Sequence, residues 1–168
     1  ICFLDSDDEF RPEYLTKMEH MLKENDASVI ACLARRSENS AYPTETQVRR
    51  YQSATDKYAF LLRGNIFPLP CLLFDAKIKA QLFFNETYKA YEDYAMLLEI
   101  LGASQKIELV REELVSIYDS EDGINKNYED IIKTLKSLKI AHNQKLKKNK
   151  LAEYNFLRNI IGIEKLAG

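Results

Sequence analysis

Apolar runs alternate with clusters of charge along this chain, and the length and period of each run predict an element. "ICFL" (Ile1 to Leu4) is a continuous apolar run, which predicts a short strand buried on both faces. It passes straight into "DSDDEFR". Pro12 then stands where the first turn of a helix accepts it, and Glu13 follows at the positive end of that helix. Tyr14, Leu15, Met18, Met21 and Leu22 repeat at helical spacing and give it one apolar face. Asp5 to Arg11 is therefore expected as the loop between the carboxyl end of a strand and a helix, where open α/β sheets bind ligands.

"ASVIACLARR" (Ala27 to Arg36) predicts a second strand, and "SENSAYPTETQ" (Ser37 to Gln47), polar and holding Pro43, predicts a loop. A helix is expected over Ser53 to Arg63, with Tyr58, Leu61 and Leu62 inward and Gly64-Asn65 ending it. Two prolines precede a short strand at Cys71 to Phe74, and Asp75 caps a short helix that runs to Leu82. Phe83 to Asp93 reads as loop. A helix over Tyr91 to Ala103 turns Leu97, Leu98 and Leu101 inward, and Lys106 to Asp119 reads as strand with a turn near Arg111 to Glu113.

Beyond Asp122 the pattern changes. Ile124 to Leu166 contains one Gly, no Pro and many lysines. Ile131, Leu135 and Leu138 mark one apolar face, and Leu151, Tyr154, Leu157 and Ile161 mark a second. We expect two or three amphipathic helices forming an appendage over residues 123–168, after a main unit over residues 1–122. The lysines Lys145, Lys147, Lys148 and Lys150 suit an acidic membrane surface, or simply a solvated face.

Composition narrows the class. With 168 residues and 46% hydrophobic content, the chain can bury an ordinary core. A formal net charge of −2 gives no general case for nucleic acid. No apolar run spans a bilayer, and no secretory signal pattern is present. Cys2, Cys32 and Cys71 are far apart and odd in number, as in a reducing compartment. The chain starts on Ile1, inside an apolar run and without Met. We therefore expect a piece of a longer protein whose preceding part supplies further strands. An apolar edge left open in this way implies self-association.

Charge brings in chemistry. Asp5, Asp7 and Asp8 repel one another, and a divalent metal is the simplest offset, because hard cations prefer oxygen ligands. The plain alternative is that Asp7 or Asp8 caps the helix. In "YEDYAMLLEI", Glu92 and Asp93 open a helix where its dipole favours anions, and alone they too read as capping.

Taken in order, Phe3-Leu4-Asp5-Ser6-Asp7-Asp8, Pro12 to Leu15, Phe84-Asn85-Glu86 and Glu92-Asp93-Tyr94 resemble the blocks of family 2 of the inverting glycosyltransferases, which have the GT-A fold. The likeness covers residues 1 to 120. It implies an α/β fold: the C-terminal half of a GT-A-like mixed sheet, flanked by helices and followed by a helical C-terminal tail. It implies an Asp-x-Asp motif in which Asp5, Asp7 and Asp8 contact a nucleotide-sugar donor, with a UDP-sugar favoured. Asp7 and Asp5 would hold Mn²⁺ or Mg²⁺ on its diphosphate. Asp93 would be the catalytic base, with Glu92 positioning the acceptor or Asp93.

The implied reaction moves a sugar, with inversion, to a glycan or lipid-linked acceptor, in the manner of bacterial surface polysaccharide synthesis. The implied setting is cytoplasmic, reaching the inner face of the membrane through the basic C-terminal helices. Two departures stand out. The N-terminal half of the family's domain is absent, which would leave this chain inactive by itself. In place of the family's His after the last strand is "SIYDSEDGIN", where Ser120, Glu121 or Asp122 would stand in. Two other classes compete: an inactive interaction module retaining the fold, and a metal-dependent nucleotidyltransferase or phosphatase. The second lacks its Gly-rich phosphate loop here. His20 and His142 fall on expected helices away from both motifs and read as surface or packing residues.

Overall fold

The computed structural model describes residues 1–36, 40–103, 106–118 and 127–167. Its centre is a mixed sheet of five strands. The β-branched and small residues of "VIACLARR" form β2 (Val29–Arg36), which is buried along most of its length. One edge of β2 pairs in parallel with β5 (Ile107–Ile117). The other edge is shared by two antiparallel partners. β4 (Leu72–Phe74) meets Val29 to Ala31, and β3 (Ser40–Tyr42) meets Ala34 to Arg36. β1 (Glu9–Phe10) adds antiparallel to the far edge of β5.

The expected first strand is reduced to an extended edge segment. Ile1 exchanges both backbone hydrogen bonds with Phe74, at 2.7 and 2.8 Å, and Cys2 bridges Leu73. Burial on both faces is not seen: Ile1 and Leu4 are exposed, and Phe3 packs edge-on against Phe74 and Phe84. This segment runs antiparallel to β4, and β4 runs antiparallel to β2. It is therefore parallel to β2 and β5, and Asp5, Arg36 and Tyr118 follow the carboxyl ends of three parallel segments.

Two hydrophobic clusters cover the sheet. On one face, Tyr14 and Met18 of α1 (Tyr14–Glu24) pack with Ile30, Cys32, Val110 and Leu114. Leu15, expected inward, is instead 57% exposed, because Tyr14 and Met18 set the buried stripe. Neither Asp7 nor Asp8 caps α1. Glu13 holds that position, without a side-chain cap. The other face carries the larger cluster, with α2 (Glu45–Ser53), α3 (Lys57–Leu61) and α4 (Glu92–Gly102).

Where a single helix was expected over Ser53 to Arg63, α2 ends at Ser53 and α3 starts anew behind Asp56, whose carboxylate accepts from the Ala59 N–H. The expected loop over Ser37 to Gln47 holds β3 and the start of α2, where Thr44 and Gln47 form a capping box; residues 37–39 lie outside the described residues. The turn expected near Arg111 to Glu113 is a bulge inside one continuous β5. Between Ala31 and Leu33 on β2, the partner jumps from Leu109 to Glu113. The helix capped by Asp75 is a short 3₁₀ segment, Ala76–Gln81.

Three helices follow, α5 (Tyr128–Ala141), α6 (Asn143–Lys148) and α7 (Lys150–Ala167). Ile131, Leu135 and Leu138 face inward as expected. The stripe of α7 does not: Leu151, Tyr154 and Ile161 point outward, and Ala152, Phe156 and Ile160 are the buried residues. These helices pack into the same cluster as Leu61, Tyr94 and Leu97. No helix among the described residues is long and apolar enough to cross a membrane.

Candidate active site

The acidic loop is fixed at its far end and open at its near end. The Asp5 carbonyl accepts from the Asp8 N–H at 3.2 Å, closing a turn over Ser6 and Asp7. Asp8 is half-buried and accepts from the Tyr118 N–H at 3.1 Å, just past the end of β5. The Tyr118 hydroxyl in turn donates to Glu9 at 3.3 Å. Burial raises the pKa of Asp8. The Tyr118 N–H pulls it down, Asp5 and Asp7 push it up, and Arg36 pulls it down again. Asp8 is thus engaged by the fold, whereas Asp5 and Asp7 present their carboxylates to solvent.

The second acidic motif lies at the start of α4. Tyr91 precedes the helix in the left-handed conformation, at φ 59° and ψ 25°, where a bulky residue is costly and is held only by its surroundings. Its ring stands edge-on to Tyr94, whose buried hydroxyl donates to the Leu61 carbonyl at 2.7 Å. That sharp entry turns Asp93 back on the helix end, where Oδ1 accepts from the Tyr94 N–H at 2.6 Å. Glu92 stands beside it, partly exposed. Burial lifts the Asp93 carboxyl to about 6, against the pull of the Tyr94 N–H, and the charges of Glu92 and Asp5 add to the rise.

Asp5 and Asp93 therefore lie within electrostatic reach of each other although they come from opposite parts of the chain. The sheet makes this possible, since Asp5 leaves the carboxyl-end edge toward which α4 also points its first turn.

Three further residues belong to this neighbourhood and were not singled out from sequence. Arg36, the last residue of β2, acts electrostatically on both Asp8 and Tyr42. Tyr42, at the end of β3, is raised by burial and feels Arg36, Tyr91 and Asp93; its hydroxyl donates to the Asn65 carbonyl at 3.0 Å. Tyr91 is raised by burial and by Asp93. In the sequence Arg36 stood at the end of an expected strand and Tyr91 at the start of an expected helix, whereas Tyr42 lay in an expected loop and carried no such signal.

Beside Tyr91 and Tyr94 opens a cavity of about 500 Å³, closed on its other side by Phe156, Arg158, Asn159 and Gly162 of α7. Its size is that of an ordinary small-ligand site.

Among the described residues, no group of three or more His, Cys, Asp or Glu side chains is arranged to hold a metal. Asp5 and Asp7 offer two hard oxygen donors on one turn. That set suits Mg²⁺, which is commonly held by one or two carboxylates while water and substrate phosphates complete its shell. Ser120, Glu121 and Asp122 lie outside the described residues. His20 is exposed beside Glu24, and His142 packs against Tyr58, so neither reaches the acidic motifs. Lys145 pairs with Asp56, and Lys150 with Glu153. No protein-family model matches the chain, and no curated protein shows significant similarity to it.

Proposed function

We propose that the chain carries the metal-dependent half of an inverting glycosyltransferase site. The observation that supports this most is the Asp93 carboxyl, lifted to about 6 by burial, with the charges of Glu92 and Asp5 adding to the rise. A carboxylate with that pKa is ionised at neutral pH, yet is a stronger base than an ordinary Asp. Asp93 takes the proton of an acceptor hydroxyl as its oxygen attacks the anomeric carbon. The bond from that carbon to the diphosphate breaks, and the electron pair leaves with the nucleotide. One displacement inverts the centre.

Glu92, next in the chain, orients the acceptor or Asp93. Asp5 and Asp7 hold the divalent cation. When bound, that cation offsets the negative charge developing on the leaving diphosphate. We place the acceptor in the cavity between Tyr91 and α7, whose aromatic lining and amides suit a sugar ring.

Calorimetric titration of UDP, GDP and dTDP, with and without Mn²⁺, tests this on the full-length protein and on its Asp7→Ala variant. We expect Mn²⁺-dependent binding of one nucleotide, UDP first, lost in the variant. Asp7 is exposed, so its removal should leave stability within about 0.5 kcal/mol. If no nucleotide binds with Mn²⁺, or if Asp7→Ala binds as well as wild type, the proposal fails and an inactive module retaining the fold becomes the better account.

A further inference from the structure

Helix α7 carries four of the ten large apolar side chains that the fold leaves exposed among the described residues. Leu151, Tyr154 and Ile161 are 53%, 62% and 51% exposed. Leu151, Tyr154, Arg158, Ile161 and Lys165 succeed one another at intervals of three and four residues, so they form one continuous face. That face lies opposite the buried Ala152, Phe156 and Ile160. α7 is thus apolar on two sides, and only one of them has a partner.

Charge decides what fits the other side. Arg158 and Lys165 stand within the stripe, and neither forms an ion pair with a described residue. The acidic residues of α7 lie off the stripe and are already engaged, Glu153 with Lys150 and Glu164 with Lys136 at 2.7 Å. Lys147 and Lys148 extend the positive charge onto the preceding helix, both exposed.

A second copy of the chain is a poor occupant. A parallel two-fold pairing of the stripes sets Arg158 against Arg158 and Lys165 against Lys165, and in an antiparallel pairing of any register the stripe of Leu151, Tyr154, Arg158, Ile161 and Lys165 offers these cations no acidic side chain. An anionic surface with an apolar interior answers both the cations and the apolar side chains.

We propose that this face of α7 docks on the surface of an anionic lipid bilayer, lying in the interface plane with Leu151, Tyr154 and Ile161 sunk among the lipids and Arg158 and Lys165 at the headgroups. The inference does not depend on the glycosyltransferase proposal. It does turn the cavity lined by Arg158 and Gly162 toward the bilayer.

Co-sedimentation of the 168-residue chain with vesicles tests it. We expect binding to phosphatidylcholine vesicles containing one quarter phosphatidylglycerol, little binding to pure phosphatidylcholine, and weakening in 0.5 M NaCl. The double variant Arg158→Glu/Lys165→Glu should lose at least tenfold in partition coefficient, since each surface cation contributes roughly fivefold near such a membrane. In a separate Tyr154→Trp variant, the emission should shift to shorter wavelength on adding the anionic vesicles. Equal partitioning to neutral and anionic vesicles, or an unchanged Trp spectrum, overturns the proposal. So does a lipid-free dimer that Ile161→Ser dissolves, which would assign the face to a second copy.

Discussion

Replacing Asp93 by Asn should make the protein more stable at neutral pH while removing its proposed chemistry. The carboxyl is lifted from 3.8 to about 6, mainly by burial. At 1.36 kcal/mol per pKa unit, that rise corresponds to about 3 kcal/mol. Below pH 3.8 the group is neutral in both folded and unfolded chains and costs nothing. As the pH climbs from 3.8 to 6, only the unfolded chain releases its proton, so the wild type loses stability through that window. Above 6 the full cost applies.

Asn keeps the shape and the oxygen that accepts from the Tyr94 N–H, but carries no charge to desolvate. Urea unfolding at pH 7.5 should therefore show the variant about 3 kcal/mol more stable, with Tm higher by roughly 6–12 °C for a chain of this size. At pH 3.5 the two proteins should agree within about 1 kcal/mol. A variant less stable than wild type at pH 7.5, or a difference that does not change with pH, would refute the burial argument and with it the case for a tuned base.

Two other substitutions probe the frame around the site. Phe156→Ala empties a fully buried position in α7 and should cost about 3–5 kcal/mol in urea unfolding, still in a single transition, because α7 and the sheet share one hydrophobic cluster; separate transitions for the helices and the sheet would contradict that. Tyr91→Gly should be about 1 kcal/mol more stable than Tyr91→Ala, since both lose the ring and only Gly occupies φ 59° without penalty; equal stabilities would show that the left-handed turn stores no strain.

The legible parts of the fold were those whose partners are near or whose burial is complete. β2, β4 and α4 are apolar enough to be recognised wherever they pack. The capping box at Thr44 and Gln47 was present in the sequence, but lay inside a polar stretch with Pro43 and read as loop. On α7 the periodicity was real and its direction was not, because a helix with two apolar sides gives no local sign of which one the core will take. Likewise Leu15 fits the stripe of α1 and still faces water.

The acidic residues of the site stood out by their density in otherwise apolar surroundings. Their approach to each other did not. Spacing along the chain says nothing about Asp5 and Asp93, and the expectation that they act together came from resemblance. Arg36 and Tyr42 enter only through the pairing of β2 with β3 and β5, which no short stretch of sequence reveals.

The bulge in β5 has a consequence for how securely that edge is built. Before it, Ile107 and Leu109 face the larger cluster; after it, Val115 faces the smaller one, although all three numbers are odd. Three steps on β2, Ala31 to Ala34, are matched by six on β5, Leu109 to Val115, and the three extra residues, an odd number, reverse the alternation. β5 therefore meshes with β2 like a key cut with one irregular tooth. Sliding it by a single residue would drive Glu108 or Glu113 into one core and Ser116 into the wrong face of the other, so the mismatch penalises every register but one. A parallel pair assembled from distant segments is slow to form and prone to stalling out of step. Here the irregular tooth ensures that when the strands do lock, Arg36 and Tyr118 arrive at the same rim.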